Sequence, residues 1–132
     1  MGNIFAIFAG GGCGAIARFF LSGAASSRAG TALPLGTLFV NVTGSFIIGL
    51  IVSLMEMALV PAAWRPFAAV GFVGAYTTFS TYAFETVALL QKKAYGPAFL
   101  NFFLNNVLAC GAIILGILAA TLLATALKGM RP

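Results

Sequence analysis

The sequence predicts an all-α integral membrane protein with four transmembrane helices per subunit, and three observations predict it. Of its 132 residues, 61% are hydrophobic and 7% charged, whereas soluble domains carry about 25% charged residues. The apolar residues fall into four long runs, and no polar stretch between them exceeds a loop. The third run is interrupted at mid-membrane depth by hydroxyls, which predicts either a kinked helix whose hydroxyls back-bond to the preceding turn or a helix broken at the midplane around an ion site. Irregular backbone at that depth survives only when buried in protein or lining a wet cavity.

The same composition excludes several kinds of chemistry. Histidine is absent, and Cys13 and Cys110 both lie in apolar runs, so neither a zinc site nor a disulfide framework is supported. Glu56 and Glu85 are the only acidic residues. A nucleophile with its base, or a metal cluster, cannot be assembled from this set, so an enzyme is not expected. The net charge of +5 comes from Arg18, Arg28, Arg65, Lys92, Lys93, Lys128 and Arg131. These sit singly at segment ends, where membrane flanking explains them better than nucleic-acid binding.

The chain reads as one domain over residues 1–132, with spans at about 4–21, 35–60, 66–90 and 97–127. The first lacks a basic leader region, so a retained helix is expected and not a signal peptide. Its Gly10 and Gly14 form a GxxxG pair suited to close helix packing. Arg18, near its end, either snorkels to the headgroups or places a positive charge near an anion vestibule. In the second run Thr37, Asn41 and Ser45 recur every four residues and share one helical face. Asn41 sits among apolar neighbours, where an unsatisfied amide is costly. It either bonds another helix or aims its N–H into a pore.

Trp64 and Arg65 read as an interfacial pair, and Pro66 as a helix start. The third run then carries Gly71, Gly74 and, within five positions, Thr77, Thr78, Ser80 and Thr81. Such hydroxyls compete for backbone hydrogen bonds and are poor helix formers. Phe79 and Tyr82 share a face, as core residues or as something more specific. The fourth run carries Asn101, Asn105 and Asn106, then a small-residue face of Ala112, Gly116 and Ala120.

Three of four spans therefore carry neutral hydrogen-bonding side chains, and none puts a carboxylate at mid-depth. That lining suits an anion better than a cation or a proton relay. The flanking charges nearly balance: Arg65, Lys128 and Arg131 on the side of the termini, against Arg28, Lys92 and Lys93 on the other, joined by Arg18 if it reaches the interface. A chain with so little orientation bias is able to insert both ways and pair as an antiparallel, dual-topology homodimer.

Three blocks then stand out: Gly14-Ala15-Ile16-Ala17-Arg18, Pro34 through Asn41 (PLGTLFVN), and Gly71 through Thr81 (GFVGAYTTFST). In order, spacing and four-span layout they resemble the Fluc (CrcB-type) fluoride channels over essentially the whole chain. The resemblance implies a passive, fluoride-selective channel in the inner (plasma) membrane of a bacterium, with two pores per antiparallel dimer. It implies that Asn41 and Thr37 line the pore, and that Phe79 turns a positive ring edge to the ion. Ser80 and Thr81 fall in the polar track beside it. Gly74 and Thr77 match the helix break, whose carbonyls hold a structural sodium ion between the two subunits. Arg18 matches a vestibule arginine and Glu85 a family glutamate.

This chain departs from the pattern twice. Tyr82 stands where a second phenylalanine is usual, so its hydroxyl either donates to fluoride or turns away. On the fourth helix the track is Asn101 and Asn105, where relatives use other polar groups. Two other classes are weighed against the channel. A proton-coupled four-helix drug exporter needs a carboxylate in its first helix, and this one has none. In a non-transporting scaffold the amides are only glue between helices.

Overall fold

The computed structural model describes residues 2–27 and 32–129. Arg28 and Arg131, two of the charges weighed for orientation, lie outside the described residues. The chain is all-helical among the described residues: α1 (Gly2–Ser27), α2 (Leu35–Glu56), a 3₁₀ turn (Ala62–Trp64), a π-helix π1 (Pro66–Val73), α3 (Gly74–Tyr76), α4 (Phe79–Gln91) and α5 (Tyr95–Gly129). Three of these, α1, α2 and α5, are each long and apolar enough to cross a membrane. The third run is divided, with π1 and α3 before residues 77–78 and α4 after them.

Helix ends follow local chemistry. Beyond α2 the chain turns through Ala58 at φ 57°, with its N–H on the Met55 carbonyl at 3.0 Å. Beyond α4 it turns through Lys93 at φ 58°, and the Ala94 N–H returns to Leu89 O at 3.0 Å. Both are left-handed reversals of the kind that end helices, made here without glycine.

Packing is dominated by two pairs, α2 against α5 and α1 against π1. Hydrocarbon supplies no hydrophobic drive between helices, so close contact and hydrogen bonds must hold them. Gly10 and Gly14 do what a GxxxG pair is expected to do. A Cβ on Gly10 would collide with the Phe67 carbonyl, and one on Gly14 with the Phe72 carbonyl. On the other side Gly49 meets the backbone of Ile113, and Gly116 that of Phe46. The small-residue face of α5 is thus the seam with α2, and Ala112 and Ala120 are buried along it.

The π-helix was not foreseen. Proline at its first turn makes an ordinary helix start, and nothing in the apolar Pro66–Val73 composition separates a five-residue hydrogen-bond period from a four-residue one. Its packing is clear: Gly71 lies against the Ile7 carbonyl and the Gly11 N–H on α1.

Candidate functional site

The site is built on two threonines. Thr77 (φ −89°, ψ 159°) and Thr78 (φ −151°, ψ 113°) are extended between α3 and α4. Each closes one side of the gap. Thr77 gives both its N–H (3.0 Å) and its hydroxyl (3.1 Å) to Val73 O, ending the preceding helix. Thr78 caps the following one, its Oγ1 accepting the Thr81 N–H at 3.2 Å and donating to Thr81 Oγ1 at 2.9 Å. A hydroxyl at the N-cap satisfies an otherwise orphaned donor.

Gly74, which the resemblance placed at the helix break together with Thr77, lies short of the break. It is ordinary right-handed helix (φ −60°, ψ −33°), and a Cβ there would approach only Ala69 O, at 3.8 Å. The interruption lies at Thr77 and Thr78, because their hydroxyls and Asn41 offer the backbone other partners.

Asn41, from α2, clasps the gap. Its Oδ1 accepts the Thr78 N–H at 2.8 Å, and its Nδ2 donates to the Thr78 carbonyl at 3.1 Å. These two bonds fix the amide's orientation, since the reverse would set donor against donor. From there a one-way ladder crosses the molecule. Asn41 Nδ2 donates to Asn105 Oδ1 (2.9 Å), and Asn105 Nδ2 to Asn101 Oδ1 and O (both 3.0 Å). Asn101 Nδ2 donates to Thr86 Oγ1 (2.8 Å) and, more weakly, to Tyr82 O (3.4 Å). Thr86 Oγ1 completes it on Tyr82 O at 2.9 Å. Both Asn101 and Asn105 are buried.

Two cavities meet at Thr78. The larger, about 430 Å³, is lined by Asn41, Ser45, Thr78, Phe79, Tyr82 and Asn105 among others, with no charged side chain among the described residues. The smaller, about 390 Å³, is lined by Arg18, Ser22, Thr37, Thr78 and Thr81. Phe79 and Tyr82 meet edge to face, with ring centroids 5.2 Å apart and planes at 72°. Phe79 is 75% exposed on the single chain, whereas Tyr82 is buried. The positive dipole end of α4 starts beside these groups, a favourable place for an anion.

The predicted site residues thus separate into groups. Asn41, Phe79, Tyr82 and Asn105 line the larger cavity, together with Gly74 and Thr77. Thr37, Thr81 and Arg18 line the smaller. Ser80 lies beside them, its Oγ 3.4 Å from Thr78 Oγ1. Asn101 stands behind, as a rung of the ladder. Glu85 accepts the Thr37 hydroxyl at 2.7 Å on Oε1, and its Oε2 is buried without a partner among the described residues. Thr86 joins the ladder although sequence reasoning gave it no role, Asn106 of the fourth run's amides bonds Tyr82, and Thr43, also unforeseen, makes a separate bond between helices. Thr43 bonds the Tyr76 hydroxyl at 2.9 Å, and spacing on one helix does not reveal a partner on another.

The donor set also bears on a cation. In an unbroken helix the Thr78 N–H would reach Gly74 O and the Thr81 N–H would reach Thr77 O. Here those donors go to Asn41 Oδ1 and Thr78 Oγ1. Two neutral carbonyl oxygens therefore lack their helical partners, a donor type that fits a hard cation. Arg18 Nη1 stands 3.5 Å from the Thr77 carbonyl, a long contact.

These features define the class: a small polytopic helical membrane protein organised around a broken segment that neutral amides hold open. Residues 5–117 match the family described as CrcB-like protein, Camphor Resistance (CrcB). The chain is 44% identical over 114 residues to the Fluoride-specific ion channel FluC 1 of Leifsonia xyli subsp. xyli, covering 86% of this chain and 83% of that one. It is 46% identical over 106 residues to the Fluoride-specific ion channel FluC of Koribacter versatilis, covering 80% and 84%. With the protein of the same name from Magnetococcus marinus it shares 48% over 102 residues, covering 76% and 82%. The chain belongs to the CrcB family.

Proposed function

We propose that this chain is a passive fluoride channel, not an enzyme, that works as an antiparallel dual-topology homodimer with two pores in a bacterial inner membrane. One observation carries the reading. The larger cavity is lined by neutral amide and hydroxyl side chains and two aromatic rings, with no charged side chain among the described residues, in a chain so similar to proteins named fluoride channels. Fluoride is small and strongly hydrated, so a narrow path must replace its water with N–H, O–H and aromatic C–H groups. Chloride is too large to gain the same compensation.

In this reading the anion meets Arg18, Thr37, Ser80 and Thr81 first, then passes Thr78. It enters the space of Asn41, Asn105, Phe79 and Tyr82, where Asn101 supports Asn105 from behind. Glu85 accepts from Thr37 and sets the direction of that hydroxyl. The exposed Phe79 face is suited to a second subunit. Sodium, where bound by the Gly74 and Thr77 carbonyls, supplies positive charge and a tie between subunits. A cation that binds only the assembled dimer would stabilise it by linkage, and the Arg18 side chain would have to leave the Thr77 carbonyl.

Fluoride efflux from liposomes tests the function. Purified dimer should release fluoride and not chloride down a gradient, and Phe79→Ile should abolish that flux while the dimer stays folded. Equal chloride flux, or silence from folded protein, overturns the reading. Topology has its own test, with Cys13 and Cys110 replaced by serine and one cysteine placed near the N-terminus. An impermeant reagent applied from outside should label about half the copies; labelling of nearly all or none excludes dual insertion.

A further inference from the structure

Tyr82 and Asn106 form a pair that the ladder does not include. Asn106 Nδ2 lies 2.7 Å from the Phe102 carbonyl and 3.0 Å from the Tyr82 hydroxyl oxygen. A carbonyl only accepts, so the atom facing Phe102 must be the amide nitrogen and not its oxygen. The same nitrogen then donates to Tyr82, whose oxygen is the acceptor in that bond. The phenolic proton is left pointing elsewhere, and no other partner of that hydroxyl exists among the described residues.

Tyr82 and Asn106 both line the larger cavity. Most donors there are already committed. Asn41 and Asn105 give their N–H groups to the ladder and to Thr78. The Thr77 and Thr78 hydroxyls donate to Val73 O and Thr81 Oγ1. The Tyr82 hydroxyl keeps an uncommitted proton in a space otherwise rich in closed bonds. It shares that status with the Ser45 hydroxyl, which makes no hydrogen bond among the described residues. Tyr82 is the better placed of the two, because it is buried, its ring is locked against Phe79, and its oxygen is held by Asn106.

We infer that the Tyr82 hydroxyl, aimed by Asn106, is a hydrogen-bond donor to the anion in the larger cavity, so that this chain adds an O–H to the ring edges at that point. Asn106 is a positioning residue: accepting its N–H polarises the phenol and strengthens it as a donor. The inference rests on the fluoride-channel reading and names one further donor within it.

The test is fluoride efflux per folded dimer from liposomes, for wild type, Tyr82→Phe, Asn106→Leu and the double variant, beside thermal melting of each dimer in detergent. Tyr82→Phe keeps the ring and should remain fluoride-selective while slowing efflux by about tenfold, the scale of a lost hydrogen bond to an ion. Asn106→Leu leaves the hydroxyl unaimed and should slow efflux by about threefold, with the double variant no slower than Tyr82→Phe. If the pair is only glue, both single variants lower the melting temperature and leave efflux per folded dimer at the wild-type rate, and the inference falls. Should Tyr82→Phe fail to fold, wild-type efflux from folded Asn106→Leu is enough to overturn it. A silent wild type is a different failure, that of the channel reading itself.

Discussion

Where α1 meets π1, backbone lies on backbone through glycines; where the N-terminal halves of α2 and α5 face α4, side-chain amides bridge the helices, and glycines close α2 on α5 only further along, at Gly49 and Gly116. Both regions answer the same problem, since hydrocarbon gives helices no hydrophobic reason to associate. The glycine seam answers with contact. Gly10 and Gly14 bring α1 onto the carbonyls of Phe67 and Phe72. The amide region answers with directional bonds, and it leaves room: the larger cavity opens there, walled by Asn41, Asn105 and Asn106. Dispersion contact requires a closed surface, whereas hydrogen bonds hold helices at a distance. In the channel reading proposed above, the permeable part therefore belongs on the amide side.

The comparison is broken most severely at the seam. Gly14→Leu puts a side chain where the Phe72 backbone stands, and we expect destabilisation of about 3 kcal/mol or more, with loss of a monodisperse peak in gel filtration. Gly12→Leu, two residues away with open space around it, should behave as wild type. An equal loss from both would show that the seam is not specific. Next in size, Asn41→Ala removes the clasp on Thr78 and the first rung of the ladder together. Melting should fall by the equivalent of about 2 kcal/mol, and fluoride efflux should drop far more than stability alone explains. The smallest effect belongs to Thr43→Val, which deletes one interhelical bond, to Tyr76, along with a back-bond to Phe39 O within its own helix. We expect about 0.6 kcal/mol in melting and unchanged efflux.

Much of this was readable from the sequence, for physical reasons that also mark where reading stops. The divided third run was visible because four hydroxyls crowd into five positions. Its location at Thr77 and Thr78, with Gly74 left helical, was not, because the decision belongs to Asn41 on another helix. The amide stripe of Asn101 and Asn105 was visible as spacing. Its direction was not, since that depends on which carbonyl each amide meets. Thr37 with Glu85, and Tyr82 with Asn106, are pairs separated by 48 and 24 positions. Such pairs are set by how each helix is rotated about its own axis, and an even coat of apolar residues does not encode that angle. The closeness of Gly10 and Gly14 to π1 was foreseen as a face, while the π period of the partner was not.

The ladder from Asn41 to Tyr82 runs in one sense, each group accepting from the one before and giving to the one after. No single member is able to turn over alone, because a reversed amide would face oxygen to oxygen on one side and nitrogen to nitrogen on the other. Nor is the set able to reverse as a whole, because its sense is dictated by backbone groups that do not turn over: the Thr78 peptide that Asn41 grips, and the Asn101 and Tyr82 carbonyls that only accept. Thermal agitation at one rung is vetoed by its neighbours. A chain of small dipoles wired in this manner behaves as a latch with a single position, holding the polarity beside the larger cavity constant.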